Sequence, residues 1–203
     1  MENNKIEQPR LFVKGHVLIT DVTDPSNTSI VLDKSNAIHP ENMSRAIADA
    51  LAANVDSTGM SIGAISEMRF GNGGTVVLST GRVTYKSPRV TSYGGLYSET
   101  YSKKINPRLN AGVDSQYNNI STVHIPGQAY TDIVCVCTLG LGEPSDQSVS
   151  SSTSMDGTYV FDELGLYTDG VSGLPLSHII FHPVEKSANR VLQVKYTVRV
   201  QLQ

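Results

Sequence analysis

The last twelve residues of the chain, residues 192–203, read LQVKYTVRVQLQ, and they decide the fold class. Apolar and polar side chains alternate strictly along this stretch. A period of two is typical of a strand with one buried face and one solvent-facing face. The apolar row comprises Leu192, Val194, Tyr196, Val198, Val200 and Leu202. Because such a row needs a sheet to cover it, the sequence predicts a mainly antiparallel β fold.

Shorter segments with strand-like composition occur over the rest of the chain. The predicted strands cover residues 11–19, 28–32, 66–70, 75–78, 82–85, 132–139, 158–167 and 176–182. Asp24-Pro25-Ser26-Asn27 is a turn signal, so the first two strands are expected to form a hairpin. Gly15 is a possible bulge in the first of them, and Pro183 is expected to end the strand before it.

One helix is predicted after the hairpin. Pro40 suits a first helical position, and Glu41 suits the positive end of the helix dipole. Residues at helical spacing form an apolar face: Met43, Ala46, Ile47, Ala50 and Leu51. We expect this face, including Ile47 and Leu51, to be buried against the sheet, and a partner's groove is the alternative. The segment 54–59 is expected to end the helix.

The predicted class is mainly β, or α+β by virtue of one helix. The expected architecture is an antiparallel β-sandwich or barrel-like domain with one amphipathic helix packed on it. A chain of 203 residues with a 39% hydrophobic share fits a single β-rich domain over residues 11–203. Residues 1–10 are predicted to be a flexible arm, residues 87–119 a long loop region, and residues 142–157 a mobile loop.

Composition limits the classes of partner. Charged residues make up only 17% of the chain, so either partners cover much of the surface or Ser, Thr and Asn keep it soluble. A net charge of −3 and a pI near 5.9 give no basic stripe, so no specific nucleic-acid binding is expected. No apolar run approaches the roughly 20 residues of a membrane span, and the polar N-terminus does not look like a secretion signal.

The cysteines and the glycine-rich segment both have structural interpretations. Cys135 and Cys137 lie two apart in one predicted strand, which disfavours a disulfide, and two thiols alone cannot build a zinc site. We therefore expect small buried hydrophobic residues. The FGNGGT segment at residues 70–75 lacks the lysine of a P-loop and a following helix. It is predicted to be a tight turn with at least one glycine at positive φ.

Two pairs of ionisable side chains have spacings that disfavour a shared site. His178 and His182 are four apart, which on a strand separates them by about 13 Å, too far for a shared metal. Asp162 and Glu163 are adjacent in a predicted strand and should point to opposite faces, so they do not read as a catalytic carboxylate pair. No nucleophile elbow is present. We assign no catalytic, metal or cofactor-binding residue, and we expect a protein that is not an enzyme.

Several segments, taken in order, resemble those of tailed-bacteriophage virion structural proteins. They are GHVLI (15–19), IVLDKSNAI (30–38), MRFGNGGT (68–75), LYSETYSK (96–103), FDELGL (161–166) and HPVEKSANR (182–190). The resemblance implies a structural subunit of a virion, made in the cytoplasm of a host bacterium. It implies no catalytic residues. Neck and collar subunits, tail or baseplate components and head decoration proteins all share this character.

Two functions follow as hypotheses. In the first, the chain forms a symmetric homo-oligomeric ring in the neck or collar, through β-edge pairing and loop exchange, and contacts other virion proteins. In the second, it is a tail-, baseplate- or fibre-associated module that recognises host glycans through its tyrosines. The candidate interface residues are Tyr93, Tyr97, Tyr101, Tyr196, Val198 and Val200. A ring subunit should assemble without cells, whereas a receptor binder should adhere to them.

Overall fold

The computed structural model describes residues 10–57, 59, 61–91, 93–144, 158–169 and 173–203. Within these residues the fold is mainly β with one helix, as predicted. The elements in chain order are β1 (Leu11–Asp21), β2 (Ser29–Ile38), α1 (Pro40–Leu51), β3 (Ile65–Gly71), β4 (Thr75–Val77), β5 (Val83–Tyr85), β6 (Glu99–Lys104), β7 (Asn119–His124), β8 (Tyr130–Leu139), β9 (Thr158–Thr168), β10 (Ser177–Ser187) and β11 (Leu192–Leu202).

Nine of the described strands form one antiparallel sheet in the order β6-β3-β9-β10-β2-β1-β11-β8-β7, and β4 and β5 form a separate hairpin. The sheet curls into a half-barrel, which confirms the barrel-like class. Strands β10 and β2 pair only at Ser177 with Ile38 and at His178 with Ala37. This short seam divides the sheet into two halves. One half contains β6, β3, β9 and β10, and the other contains β2, β1, β11, β8 and β7.

The terminal strand β11 is an interior strand of the antiparallel sheet and buries one face, as its alternation predicted. It pairs with β1 along its whole length and with β8 along most of it. Its apolar row is fully buried at Tyr196 and Val198, but Val200 is half-buried and Leu202 is 52% exposed. Tyr196 and Val198 were predicted as interface residues. The structure corrects this, because both side chains are enclosed in the core of the subunit itself.

Helix α1 begins at Pro40, as predicted, but it buries less than its periodicity indicates. Met43 and Ala46 lie in the core, and Ile47 is half-buried against it. The prediction that Leu51 is buried is wrong: it is 83% exposed in the last turn of the helix, where the neighbouring residues are also exposed. The remaining buried position is polar Asn42, whose Nδ2 donates to the Pro175 carbonyl at 2.8 Å.

Two strand irregularities differ from prediction. Strand β10 runs past Pro183 to Ser187, because a register shift between Ile180 and Val184 accommodates a residue that cannot donate to the ladder. Gly15 does not lie at a bulge. The shift in β1 falls after Ile19, and the absent side chain of Gly15 instead leaves room for the Asn36 amide.

The loops also differ from the prediction. The region 87–119 is not one loop, since it contains strand β6 and reaches the start of β7. Of the predicted arm at residues 1–10 and the predicted loop at 142–157, only Arg10 and residues 142–144 fall within the described residues. No helix in the described part of the chain has the length and hydropathy needed to span a membrane.

Candidate functional site

Tyr196 lies in the core, and the other three predicted interface tyrosines lie in three different environments. Tyr93 is 97% exposed. The ring of Tyr97 is covered by cations, with the Lys86 Nζ 4.4 Å and the Arg89 guanidinium 4.0 Å from its centroid. Tyr101 packs on the Phe70 ring at 6.1 Å, and burial raises its pKa to about 12. These side chains therefore do not form one aromatic surface, and only Tyr93 is fully available to a partner.

A buried carboxylate on β9 organises this region. Glu163 is fully buried and accepts hydrogen bonds from the backbone N–H groups of Gly73 (3.1 Å), Tyr97 (2.9 Å) and Ser98 (2.8 Å). It also lies 3.0 Å from the Nε2 of buried His178. Burial disfavours the ionised carboxylate, but these hydrogen bonds outweigh it and hold the Glu163 pKa below its ordinary value.

The imidazole of His178 has a defined tautomer. Its Nδ1 accepts a hydrogen bond from the backbone N–H of Arg89 at 2.9 Å. Nε2 therefore carries the proton and donates to Glu163. Four donors converge on one carboxylate, so Glu163 holds together segments that are distant in sequence.

The neighbouring Asp162 binds the same glycine-rich segment. It accepts hydrogen bonds from the backbone N–H groups of Gly74 and Thr75, both at 2.8 Å, and from the Thr75 hydroxyl. Asp162 and Glu163 thus both bind the glycine-rich segment, although adjacent residues of a strand were expected to point to opposite faces of the sheet. Asp162 lies opposite the register shift in β10, where the regular ladder is interrupted. We call Asp162, Glu163 and His178 the carboxylate clamp.

The clamp explains the glycines of residues 71–74. The prediction of a positive φ is wrong for Gly71, Gly73 and Gly74. Their small size is needed instead, because a Cβ at Gly71 would collide with the Ser98 carbonyl oxygen. A Cβ at Gly73 would lie 2.8 Å from the Ser98 Cβ. Sequence reasoning missed the clamp. The available signal was two acidic residues inside an apolar strand, since buried carboxylates must find donors.

The edge strand β6 is charged, and its lysines form hydrogen bonds and ion pairs within the subunit. Lys103 Nζ donates to the Thr138 carbonyl at 2.7 Å and forms an ion pair with Glu143. Lys104 Nζ forms an ion pair with Asp169 at 2.6 Å. These contacts tie β6 to the end of β8 and to the end of β9. The free edge is thereby linked to the rest of the fold.

A cleft of about 720 Å³ lies beside β6, between Lys103, Lys104 and the segment 109–114. Its two lysines are already paired with carboxylates, Glu143 and Asp169. Among the described residues, no group of three or more His, Cys, Asp or Glu side chains could hold a metal ion. Cys135 and Cys137 are free thiols that are fully buried, and burial raises the pKa of each to about 12.

The opposite edge, β7, has a different character. Its sequence is NISTVH, which carries no formal charge when His124 is neutral. Residues 121–124 are exposed, with Val123 at 48%, and no described residue pairs with the outer side of the strand. Natural sheet edges are usually protected by Lys, Pro, bulges or a covering segment. The described residues provide none of these for β7.

An exposed apolar patch lies near this edge. Leu11 pairs with Leu202, and Val13 pairs with Val200, on the same face as the core. Leu11 and Leu202 are 51% and 52% exposed, because the core row continues past the part of the sheet that is covered. We call these four residues the apolar end. The predicted interface residue Val200 belongs to the apolar end, and its strand, β11, is separated from β7 by β8 alone.

Comparisons with protein-family models, with curated proteins and with solved structures found no match.

Proposed function

We propose that the chain is a non-enzymatic structural subunit of a tailed-phage particle, which assembles with copies of itself and with other virion proteins. We further propose that it forms a symmetric ring in the neck or collar of the particle. The observation that carries the proposal is the neutral, exposed edge strand β7 beside the apolar end.

An unprotected edge has a physical consequence. Its unpaired N–H and C=O groups form a template for another strand, so a protein that leaves such an edge exposed is prone to edge-to-edge association. When that association is part of an assembled particle, the same groups provide a directional main-chain contact. The neutral composition of β7 therefore supports a role in assembly.

The apolar end supports the same role. Leu11, Val13, Val200 and Leu202 are only partly covered in the subunit. Fully burying a side chain of this kind is worth roughly 1.5–3 kcal/mol, so a partner that covers the apolar end gains stability. The assignment to a phage particle is supported separately, by the ordered sequence resemblance.

The carboxylate clamp has a structural part in this proposal. Its carboxylates accept from backbone N–H groups, a threonine hydroxyl and His178. These bonds hold the glycine-rich segment and the Tyr97 segment against β9. A subunit repeated in many copies benefits from such fixed geometry, since each contact must recur in the same form.

Host recognition is the second candidate, and one observation favours it. Tyr93 is 97% exposed and could stack on a sugar ring. The ring of Tyr97, by contrast, is already covered by Lys86 and Arg89. If glycan binding is the function, Tyr93→Ala should abolish adherence of the purified protein to host cells.

Complementation of a phage that lacks this gene tests the proposal. The parent gene should restore infectious particles, and the chain should be found at the neck by cryo-electron microscopy. Leu202→Lys, which charges the apolar end, should restore few particles, whereas Tyr93→Ala should restore them fully. Particles that form and infect without the chain would overturn the structural role. Failure of Tyr93→Ala alone would favour host recognition.

A further inference from the structure

We propose that the outer side of β7 pairs in antiparallel fashion with β7 of a second copy, so that a two-fold axis joins two half-barrels into one continuous sheet. The inference names one contact between copies, and it rests on the proposed function only for the claim that copies associate. A two-fold contact closes at two copies, so a ring needs a second interface between such pairs.

Charge favours self-pairing over pairing with the other edge. Strand β7 has no formally charged residue when His124 is neutral, so two copies bring no like charges together. Strand β6 carries Glu99, Lys103 and Lys104, and both lysines are held in ion pairs within the subunit. A neutral strand therefore finds its best match in itself.

The register of β7 restricts the geometry of the pair. Ile120 and Thr122 pair with Cys135 and Ile133 of β8, so they lie on the core side of the sheet. Directly opposed residues of antiparallel strands lie on the same face. A two-fold axis perpendicular to the sheet keeps both core faces on the same side. Core-facing residues of one copy must then oppose core-facing residues of the other, so the residue at the axis lies opposite the same residue of the second copy. The self-opposed residue near the middle of β7 is then Ser121 or Thr122.

This arrangement has two consequences. The apolar ends of both copies lie on the same side of the joined sheet. The contact is also isologous, since the same patch is used by each copy. Any ring in which every subunit makes this contact therefore contains an even number of subunits.

Sedimentation velocity over a wide range of protein concentration tests the pairing. The parent chain should show a reversible monomer–dimer equilibrium. Ser121→Lys, which places like charges across the axis, should raise the dissociation constant by roughly tenfold or more. Ser102→Lys is the matched control, because Ser102 is an exposed serine in the other edge strand. It should leave the equilibrium unchanged, and circular dichroism should show that both variants are folded.

Disulfide trapping identifies the contact directly. Ser121→Cys or Thr122→Cys should give a covalent dimer on mild oxidation, whereas Ser102→Cys should not. The parent should not cross-link, because Cys135 and Cys137 are fully buried thiols. A parent that stays monomeric at all concentrations overturns the inference, and so does trapping at Ser102 but at neither β7 position.

The inference and the proposed function can fail separately. A chain that is monomeric in isolation but is incorporated into particles refutes β7 self-pairing and leaves the structural role standing. A chain that dimerises through β7, yet is absent from purified phage particles, refutes the phage assignment and leaves the contact established.

Discussion

The two edges of the sheet differ in chemistry. Strand β6 is charged, and its lysines reach Thr138, Glu143 and Asp169 within the subunit. Strand β7 is neutral and exposed, with no described residue on its outer side. The comparison shows that the edge strand with charged residues, β6, forms ion pairs within the subunit. The edge strand without charged residues, β7, has no such contacts among the described residues. The lysines of β6 disfavour pairing with another strand, whereas the described residues give β7 no such protection.

The largest expected effect concerns the half of the sheet that contains β6. Glu163→Ala should lower the free energy of unfolding by about 3–5 kcal/mol, because it leaves buried N–H donors and His178 without their acceptor. Glu99→Ala is the control on β6, where an exposed ion pair with Arg69 is worth at most about 1 kcal/mol. Urea denaturation measures both. Equal small losses would mean that the clamp does not stabilise this side.

The second prediction compares two ends of one strand. Leu192 and Leu202 belong to the same apolar row of β11, but Leu192 is fully buried and Leu202 is 52% exposed. Leu192→Ala should cost about 2–5 kcal/mol of stability, as expected for a core position. Leu202→Ala should cost the free subunit less than about 1 kcal/mol. A comparable loss at both positions, measured by urea denaturation, would show that the apolar end is already covered in the isolated chain.

The fold was predictable where the pattern was long. Strict alternation over residues 192–203 predicts the half-buried strand β11, and Pro40 predicts the start of α1. Periodicity identifies which residues share a face, but it does not reveal where the covering layer ends. For that reason Leu51 and Leu202 continue apolar rows that the structure leaves exposed.

The candidate site was less predictable. Strand β7 lacks a strong apolar alternation, because an edge strand beside solvent can be polar on both faces. The clamp escaped detection because the register shift at Ile180 interrupts the ladder opposite Asp162. The apparent cluster of tyrosines was misleading, since Tyr196 lies in the core and the ring of Tyr97 is covered by cations.

The third prediction concerns acidity in the half of the sheet that contains β6. The folded-state pKa of Glu163 lies below its ordinary value of 4.5, so its contribution to stability is fully present above pH 4.5. As the pH falls through the lowered pKa, the carboxylate is protonated and this contribution is lost. The stability difference between the parent and Glu163→Gln should therefore shrink on acidification. Urea midpoints that decline in parallel for both proteins below pH 4.5 would contradict the clamp's charged state.

The smallest expected effect completes the comparison of the edges. Ser102 and Ser121 are both exposed strand residues, and the free energy of unfolding of each lysine variant should lie within about 0.5 kcal/mol of the parent. Measured in dilute solution, where the chain is monomeric, this near-zero result separates folding from association. A loss of dimer in Ser121→Lys then reports only on the edge it alters. If Ser121→Lys instead destabilises the monomer by several kcal/mol, the loss of dimer in this variant reports on folding, and only the disulfide trapping tests the edge.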